Sequence, residues 1–311
     1  MNESSDNQSR VVVAGICIST ILFAIIISGF FNTQIPKQPS GNGGNPIRIA
    51  VTLPVFADFA TRLHPDQIKV KSLVPAGVEP HEYEPTPDDR ITLENSDLIL
   101  SVGSGFDGWL ENLVTAIPAG RRPQILNLGG ALGLEPDADP HFWLDNERVI
   151  EALEIIAERL IDMSPSAAQD IGMNQELLQN ELIMLDNDFD TTLRTCKQKS
   201  YISAHTAFHL LTNPYNIRDI PLSGYDPEQE PSSAQIASVI RTATELNTRV
   251  IFIEPLIRPK IVDALIRDLG TIVYTLDPLE NTDDLTNFSY EQVMRDNLTT
   301  LAKALDCTIS P

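Results

Sequence analysis

The stretch from Asp145 to Cys196 constrains the fold more than any other, because it carries no strand pattern and almost no glycine. The sequence on either side of it alternates short apolar runs with amphipathic ones. Pro165 divides the stretch, with Ser164 as an N-cap candidate. Beyond it Ile171, Leu178, Leu182, Leu185, Phe189 and Leu193 recur at steps of three, four or seven, which is one helix face. A single helix over Ser166–Thr195 would measure ~45 Å at ~1.5 Å per residue. On the N-terminal side, Ile47–Leu53, Ile68–Val74, Leu98–Val102 and the weaker Gln124–Leu128 read as strands, with helices at Val55–Leu63 and from Pro87, which Thr86 caps. On the C-terminal side, strands are expected at Tyr201–Ala204, Ile217–Leu222, Val250–Ile253 and Ile272–Leu276. Helices are expected there at Ser232–Leu246, Pro259–Leu269 and Ser289–Leu305. The expected class is α/β: two α/β lobes with mostly parallel sheets, residues 47–145 and 196–311, joined by a helical connection over 146–195.

The N-terminus stands apart from this pattern. Val11 to Phe31 contains no charge and is long enough to cross a bilayer core, which takes about 20 residues. It exceeds the usual apolar core of a signal peptide. We read residues 1–31 as an uncleaved membrane anchor, with a cleaved signal as the alternative. Cys17 follows Ile16 deep inside the run, which argues against a lipid attachment site. Asn32–Pro46 is rich in Gly, Pro and Asn and reads as a tether. Residues 1–46 hold Glu3, Asp6, Arg10 and Lys37 and are net neutral, so the whole formal charge of −21, from 22 basic and 43 acidic residues, belongs to the folded part. Such acidity excludes nucleic acid as a partner and suits attraction of small cations. Three cysteines exclude a disulfide-dense scaffold and a four-cysteine zinc fold.

Four positions carry potential chemistry: His81 in GVEPHEYEPTP, His141 in DADPHFW, His205 in ISAHTAF and Asp277 in YTLDPLE. His205 and Asp277 directly follow expected strands, and His81 lies a few residues after one. Ligands of open α/β sheets bind beyond the carboxyl ends of strands, so a cleft between the lobes would gather all four. Three imidazoles and a carboxylate suit a zinc-sized ion in tetrahedral geometry. The same residues also fit ordinary solvated loops, and no short-range metal motif such as HExxH is present. His209 reads as helix surface and His64 has no assigned role. Glu79, Glu82 and Glu84 around His81, and Glu230 and Glu254 in the second lobe, read either as partners that orient an imidazole or as solvated carboxylates.

In order, LVPAGVEPHEYEPTPDD, DPHFWLD, SAHTAF, EPSSAQI, IFIEPLIRPK and TLDPLE resemble the zinc- and manganese-binding substrate-binding proteins of ABC transporters, the ZnuA/TroA-like or cluster A-I family. The resemblance runs from Ile47 to about Cys307. It implies two lobes, one rigid connecting helix and a metal between the lobes, held by His81, His141, His205 and Asp277. Manganese members typically have Glu where this chain has His205, so the resemblance favours Zn²⁺, with Mn²⁺ or Fe²⁺ as alternative. The loop before His141 lacks the His-rich insert of many zinc members. Some relatives have cysteines near the positions of Cys196 and Cys307, and with an exporting N-terminus a disulfide between them is expected, the alternative being two buried thiols. The implied partners are a divalent metal ion and a membrane permease, with the protein a monomer outside the cytoplasm, capturing and handing over metal without bond-making. Readings from other classes are a zinc hydrolase, which needs an open coordination position that Asp277 would fill, and a surface adhesin.

Overall fold

A computed structural model of the chain describes residues 45–308 except 82, 226, 228–230, 258 and 260. The expected anchor at 1–31, and all but the end of the tether, lie outside the described residues. Among the described residues no helix is long and apolar enough to cross a membrane. The first lobe runs β1 (Ile47–Val51), α1 (Pro54–Leu63), β2 (Ile68–Ser72), α2 (Pro87–Glu94), β3 (Leu98–Ser101), α3 (Trp109–Thr115), β4 (Gln124–Asn127) and α4 (Leu128–Ala131). Two helices follow, α5 (Asn146–Met163) and α6 (Ala168–Leu193). The second lobe runs β5 (Ser200–Ser203), α7 (His209–Thr212), β6 (Arg218–Pro221), α8 (Ser233–Glu245), β7 (Val250–Ile253), α9 (Val262–Leu269), β8 (Ile272–Thr275) and α10 (Tyr290–Ala304).

Both sheets are wholly parallel and repeat one topology, β2–β1–β3–β4 and β6–β5–β7–β8. The order reverses direction between β1 and β3 in one sheet and between β5 and β7 in the other. Those are the switch points outside which open α/β sheets bind ligands. The central strands β3, β5 and β7 are buried on both faces because helices cover both, whereas the edge strand β2 carries Lys69 and Lys71. Ile49, Val51, Leu98 and Leu100 face the large inner core, while Ala50 and Ile99 face a smaller cluster under α2 and α3. In the second lobe Tyr201, Val250 and Phe252 face inward, while Ile202 and Ile251 face a cluster under α8 and α9.

The inner faces of both sheets, α1, α5, α6 and α10 contribute to one continuous core. The face read from the sequence is the one α6 buries: Ile171, Leu178, Leu182, Leu185, Phe189 and Leu193. Its bounds differ from the expected Ser166–Thr195. Pro165–Ala167 forms a 3₁₀ turn, and the α-helix proper is Ala168–Leu193, 26 residues. The described residues from Pro46 onward make one compact unit, with lobes that share a core.

Local capping follows the sequence. The Asp89 carboxylate accepts from Thr86 N–H and Oγ–H, each at 2.7 Å, at the start of α2. Ser232 and Gln235 form a capping box at α8. Cys196 and Cys307 are disulfide-bonded, their Cα atoms 3.8 Å apart across 111 residues of sequence, which ties the end of α10 to the segment before β5.

Candidate metal centre

His81, His141, His205 and Glu280 each offer a donor atom, and these four atoms lie within 4.8 Å of one another. His205 follows β5 at the switch point of the second sheet, and Glu280 follows β8. His81 and His141 come from loops after β2 and after α4 of the first lobe. The inward atoms of the imidazoles are Nε2: His205 Nε2 is 3.4 Å from His141 Nε2. Glu280 Oε1 is 3.3 Å from His141 Nε2 and 3.6 Å from His81 Nε2. His141 and His205 are wholly buried and Glu280 is 3% exposed. The wall behind them is aromatic. Phe106 lies edge-on to His81 with ring centroids 4.3 Å apart, and Trp143 is 5.2 Å from His141.

Two outer carboxyl groups face the Nδ1 atoms of His141 and His205. Asp139 Oδ1 sits 2.8 Å from His141 Nδ1, and Glu254 Oε1 sits 2.6 Å from His205 Nδ1. A proton held outward on each Nδ1 would let each Nε2 present a lone pair to a metal ion, the arrangement of carboxylate–histidine–metal triads. The backbone is set by a repeated local device. In Glu79-Pro80-His81 the Glu79 carboxylate accepts the His81 N–H at 3.1 Å, and in Asp139-Pro140-His141 Asp139 accepts the His141 N–H at 3.1 Å. Each is a short acid–proline–histidine turn whose acid bonds the backbone two residues on.

Asp277 follows the same rule and so does not join the group. In Asp277-Pro278-Leu279 its Oδ1 accepts the Leu279 N–H at 2.8 Å. Leu279 takes a left-handed φ of 61°, and the chain then turns Glu280 toward the imidazoles. The turn is pinned from outside: Trp143 Nε1–H donates to Pro278 O at 2.7 Å, and Asn297 brackets Asp277 through its N–H and its C=O. Of the four expected ligands, then, the fold gathers three with Glu280 in place of Asp277. Sequence reasoning also left Asp139 unmentioned and Glu254 ambiguous. A following proline is common to Asp139, Glu254 and Asp277, each of which holds a neighbouring group, and is absent after Glu280. Among the other residues weighed, His209 is exposed on α7 and Glu84 is exposed. Glu82 and Glu230 lie outside the described residues.

Burial and mutual charge shift the titration of the whole group. Burial pushes the Glu254 carboxyl well above its usual range, and the nearby Glu280 charge adds to this. Burial also works against the Glu280 charge, but the facing His141 and His81 imidazoles, 3.3 and 3.6 Å away, hold its carboxyl far below the usual range. Burial disfavours the His141 imidazolium, yet Asp139 and Glu280 outweigh it and its pKa is pushed up to about 9. His81 is pushed down by burial, against the pull of Glu280. His81 Nε2 and both Glu280 oxygens are buried without a hydrogen-bond partner, a costly state for polar groups. Three nitrogens and one oxygen converging on one point are a complete tetrahedral donor set for a zinc-sized ion.

Known proteins repeat this arrangement of chain. The family described as zinc-uptake complex component A, periplasmic, matches residues 49–304. The high-affinity zinc uptake system protein ZnuA of Bacillus subtilis is 25% identical over 290 residues, 86% of this chain and 91% of that protein. The Zn(II)-bound ZnuA-like domain of Streptococcus pneumoniae AdcA superposes with a TM-score of 0.71 at 26% identity, covering 85% of this chain and all of that one. Against AdcA as a whole, this chain spans 57% of the relative's length. The laminin-binding protein Lmb of Streptococcus agalactiae, described as bifunctional with adhesin and metal-transporting activity, superposes with a TM-score of 0.75 at 25% identity, covering 84% of this chain and all of that one. With a family match running from β1 to the end of α10, the chain belongs to the zinc-uptake component A family of metal-binding transport proteins.

Proposed function

We propose that this protein captures Zn²⁺ outside the cytoplasm and delivers it to an ABC permease, with His81, His141, His205 and Glu280 as the four ligands. The observation that carries the reading is the convergence of three Nε2 atoms and one carboxylate oxygen, all buried, within 4.8 Å. Asp139 and Glu254 support it by holding the Nδ1 protons of His141 and His205 outward. Three imidazoles favour zinc over harder ions such as Mn²⁺, which prefer more oxygen. The zinc-bound AdcA domain adds to that preference.

Four protein donors fill a tetrahedral shell and leave no position for an activated water, so the site favours binding over hydrolysis. The protein acts as a monomer held near the membrane by residues 11–31. X-ray absorption on the zinc-loaded chain tests the ligand set. The expected shell is three imidazole nitrogens and one oxygen at ~2.0–2.1 Å. A six-oxygen shell, or a shell unchanged in Glu280→Ala, would remove the assignment.

A further inference from the structure

Beside the four donors lies a cleft of about 280 Å³ lined by residues that follow β2, β7 and β8. Five of its described lining residues are carboxylates: Glu79, Glu254, Asp277, Glu280 and Asp283. Their exposure is graded. Asp283 is exposed, Glu79 and Asp277 are half-buried, and Glu254 and Glu280 are buried at 3% each. The two innermost face both ways. Glu254 Oε1 holds His205 Nδ1 while its Oε2 has no hydrogen-bond partner. Glu280 Oε1 faces His141 and His81 while its Oε2 is also without one. One wall is clasped across the lobes by Asn281, which accepts from Gly77 N–H at 2.6 Å and donates to Pro75 O and Val78 O at 2.9 Å each.

Partnerless oxygens on nine-tenths-buried carboxylates are expensive unless something cationic visits them. The imidazole centre accounts for Glu280 but not for Glu254 Oε2. We propose that this cleft is the port of the metal centre: an all-oxygen site that receives a hydrated divalent cation at Asp283, holds it between Asp277, Glu254 and Glu280, and passes it to the imidazoles by ligand exchange on Glu280. The chemistry is that of a hard-ligand antechamber ahead of a nitrogen-rich site. Carboxylates exchange for water on a hydrated ion without stripping it at once, and the imidazoles then replace the remaining waters. The proposal rests on the zinc-binding reading above.

A port serves entry and exit alike, so damaging it changes the barrier and not the end states. Loss of simple attraction behaves differently: the on-rate falls, and the off-rate stays or rises. Asp283 touches none of the four donors, so Asp283→Lys and the milder Asp283→Asn are the test variants, with Glu111→Lys, an exposed acid on α3, as the remote control. Zn²⁺ association is followed by stopped flow on the full chain in detergent, and dissociation by chelator capture, at low salt and at high salt. Asp283→Lys is expected to lower both rates by about tenfold, within the range that charged clefts command. The equilibrium constant should then shift by less than about threefold, and high salt should not restore the rates. Asp283→Asn should move both rates in the same direction by less, and Glu111→Lys should move neither. Unchanged rates in Asp283→Lys, or a slowed on-rate alone that salt abolishes, would overturn the port while leaving the zinc site intact. A wild-type chain with no tight zinc site would instead remove the reading on which the port depends.

Discussion

Asp277 and Glu280 lie three residues apart in one short loop, and only one of them is aimed at the imidazoles. Asp277 acts on the site through the backbone, by accepting the Leu279 N–H and stabilising a left-handed φ at a leucine, which ordinarily resists it. An amide oxygen can accept the same bond. Asp277→Asn should therefore keep near-wild-type zinc affinity, whereas Asp277→Ala should lose it. Glu280→Ala should lose more than the ~10–100-fold typical of an outer partner such as Asp139. Calorimetric titration of the set separates turn former from ligand: equal losses in Asp277→Asn and Asp277→Ala would make Asp277 a ligand. The gathering of the three histidines was legible from sequence, because they stand in loops that a cleft between the lobes would bring together. The fourth donor was not, because a strand-end rule favours the first acid after β8 and cannot see that Asp277 is spent on a turn. The same acid–proline device at Glu79 and Asp139 was printed in the sequence, and it is the clue that separates the roles.

With the His141 pKa pushed up to about 9 by Asp139 and Glu280 against the effect of burial, the metal-free protein carries an imidazolium there at neutral pH. Because the folded pKa lies above the ordinary histidine value near 6.5, this group stabilises the metal-free fold fully below about pH 6.5 and ceases to as pH rises through about 9. Zinc must displace that proton. Titrations at pH 7 in buffers of differing ionisation enthalpy should show about one proton released from His141, with affinity falling as pH is lowered. Zinc affinity that is flat between pH 5 and 8 would contradict the imidazole ligands.

At the scale of elements, the lobes are joined by more than a linker. The buried face of α6 was legible from its apolar spacing, since a helix packed on one side must repeat near 3.6. Its partners, α1, α5 and α10, were not legible, because periodicity reveals a buried face but not what covers it. Across the site, Asn281 makes three hydrogen bonds from the loop after β8 to the loop after β2. At roughly 0.5–1.5 kcal/mol for each net bond, Asn281→Ala should weaken zinc binding by at least about tenfold, mainly through faster release. At the opposite end, the Cys196–Cys307 disulfide closes 111 residues of sequence. In the chain-entropy model such a closure contributes about 4–5 kcal/mol. Cys196→Ser with Cys307→Ser should lower the denaturation midpoint markedly and leave zinc affinity within about threefold, since α10 still packs into the shared core. A large loss of affinity with little loss of stability would show that the disulfide acts on the site.

For the whole molecule, one core running through both lobes leaves little room for a wide hinge, because packed interiors resist gradual deformation. Zinc loading should then act through the loops that carry His81, His141 and Glu280, and scattering profiles with and without zinc should nearly coincide. The acidic folded part, which holds the entire net charge of −21, presents a field that draws cations toward the cleft. All these consequences stem from one claim, that the buried three-histidine, one-glutamate cluster is a zinc site. Its most direct test is calorimetric competition on the chelator-stripped full chain in detergent, with Zn²⁺ and Mn²⁺ titrated singly and against each other. The expected result is one tight zinc site from which manganese does not displace zinc, lost in His205→Ala. Preference for manganese, or no tight site for either ion, would contradict it.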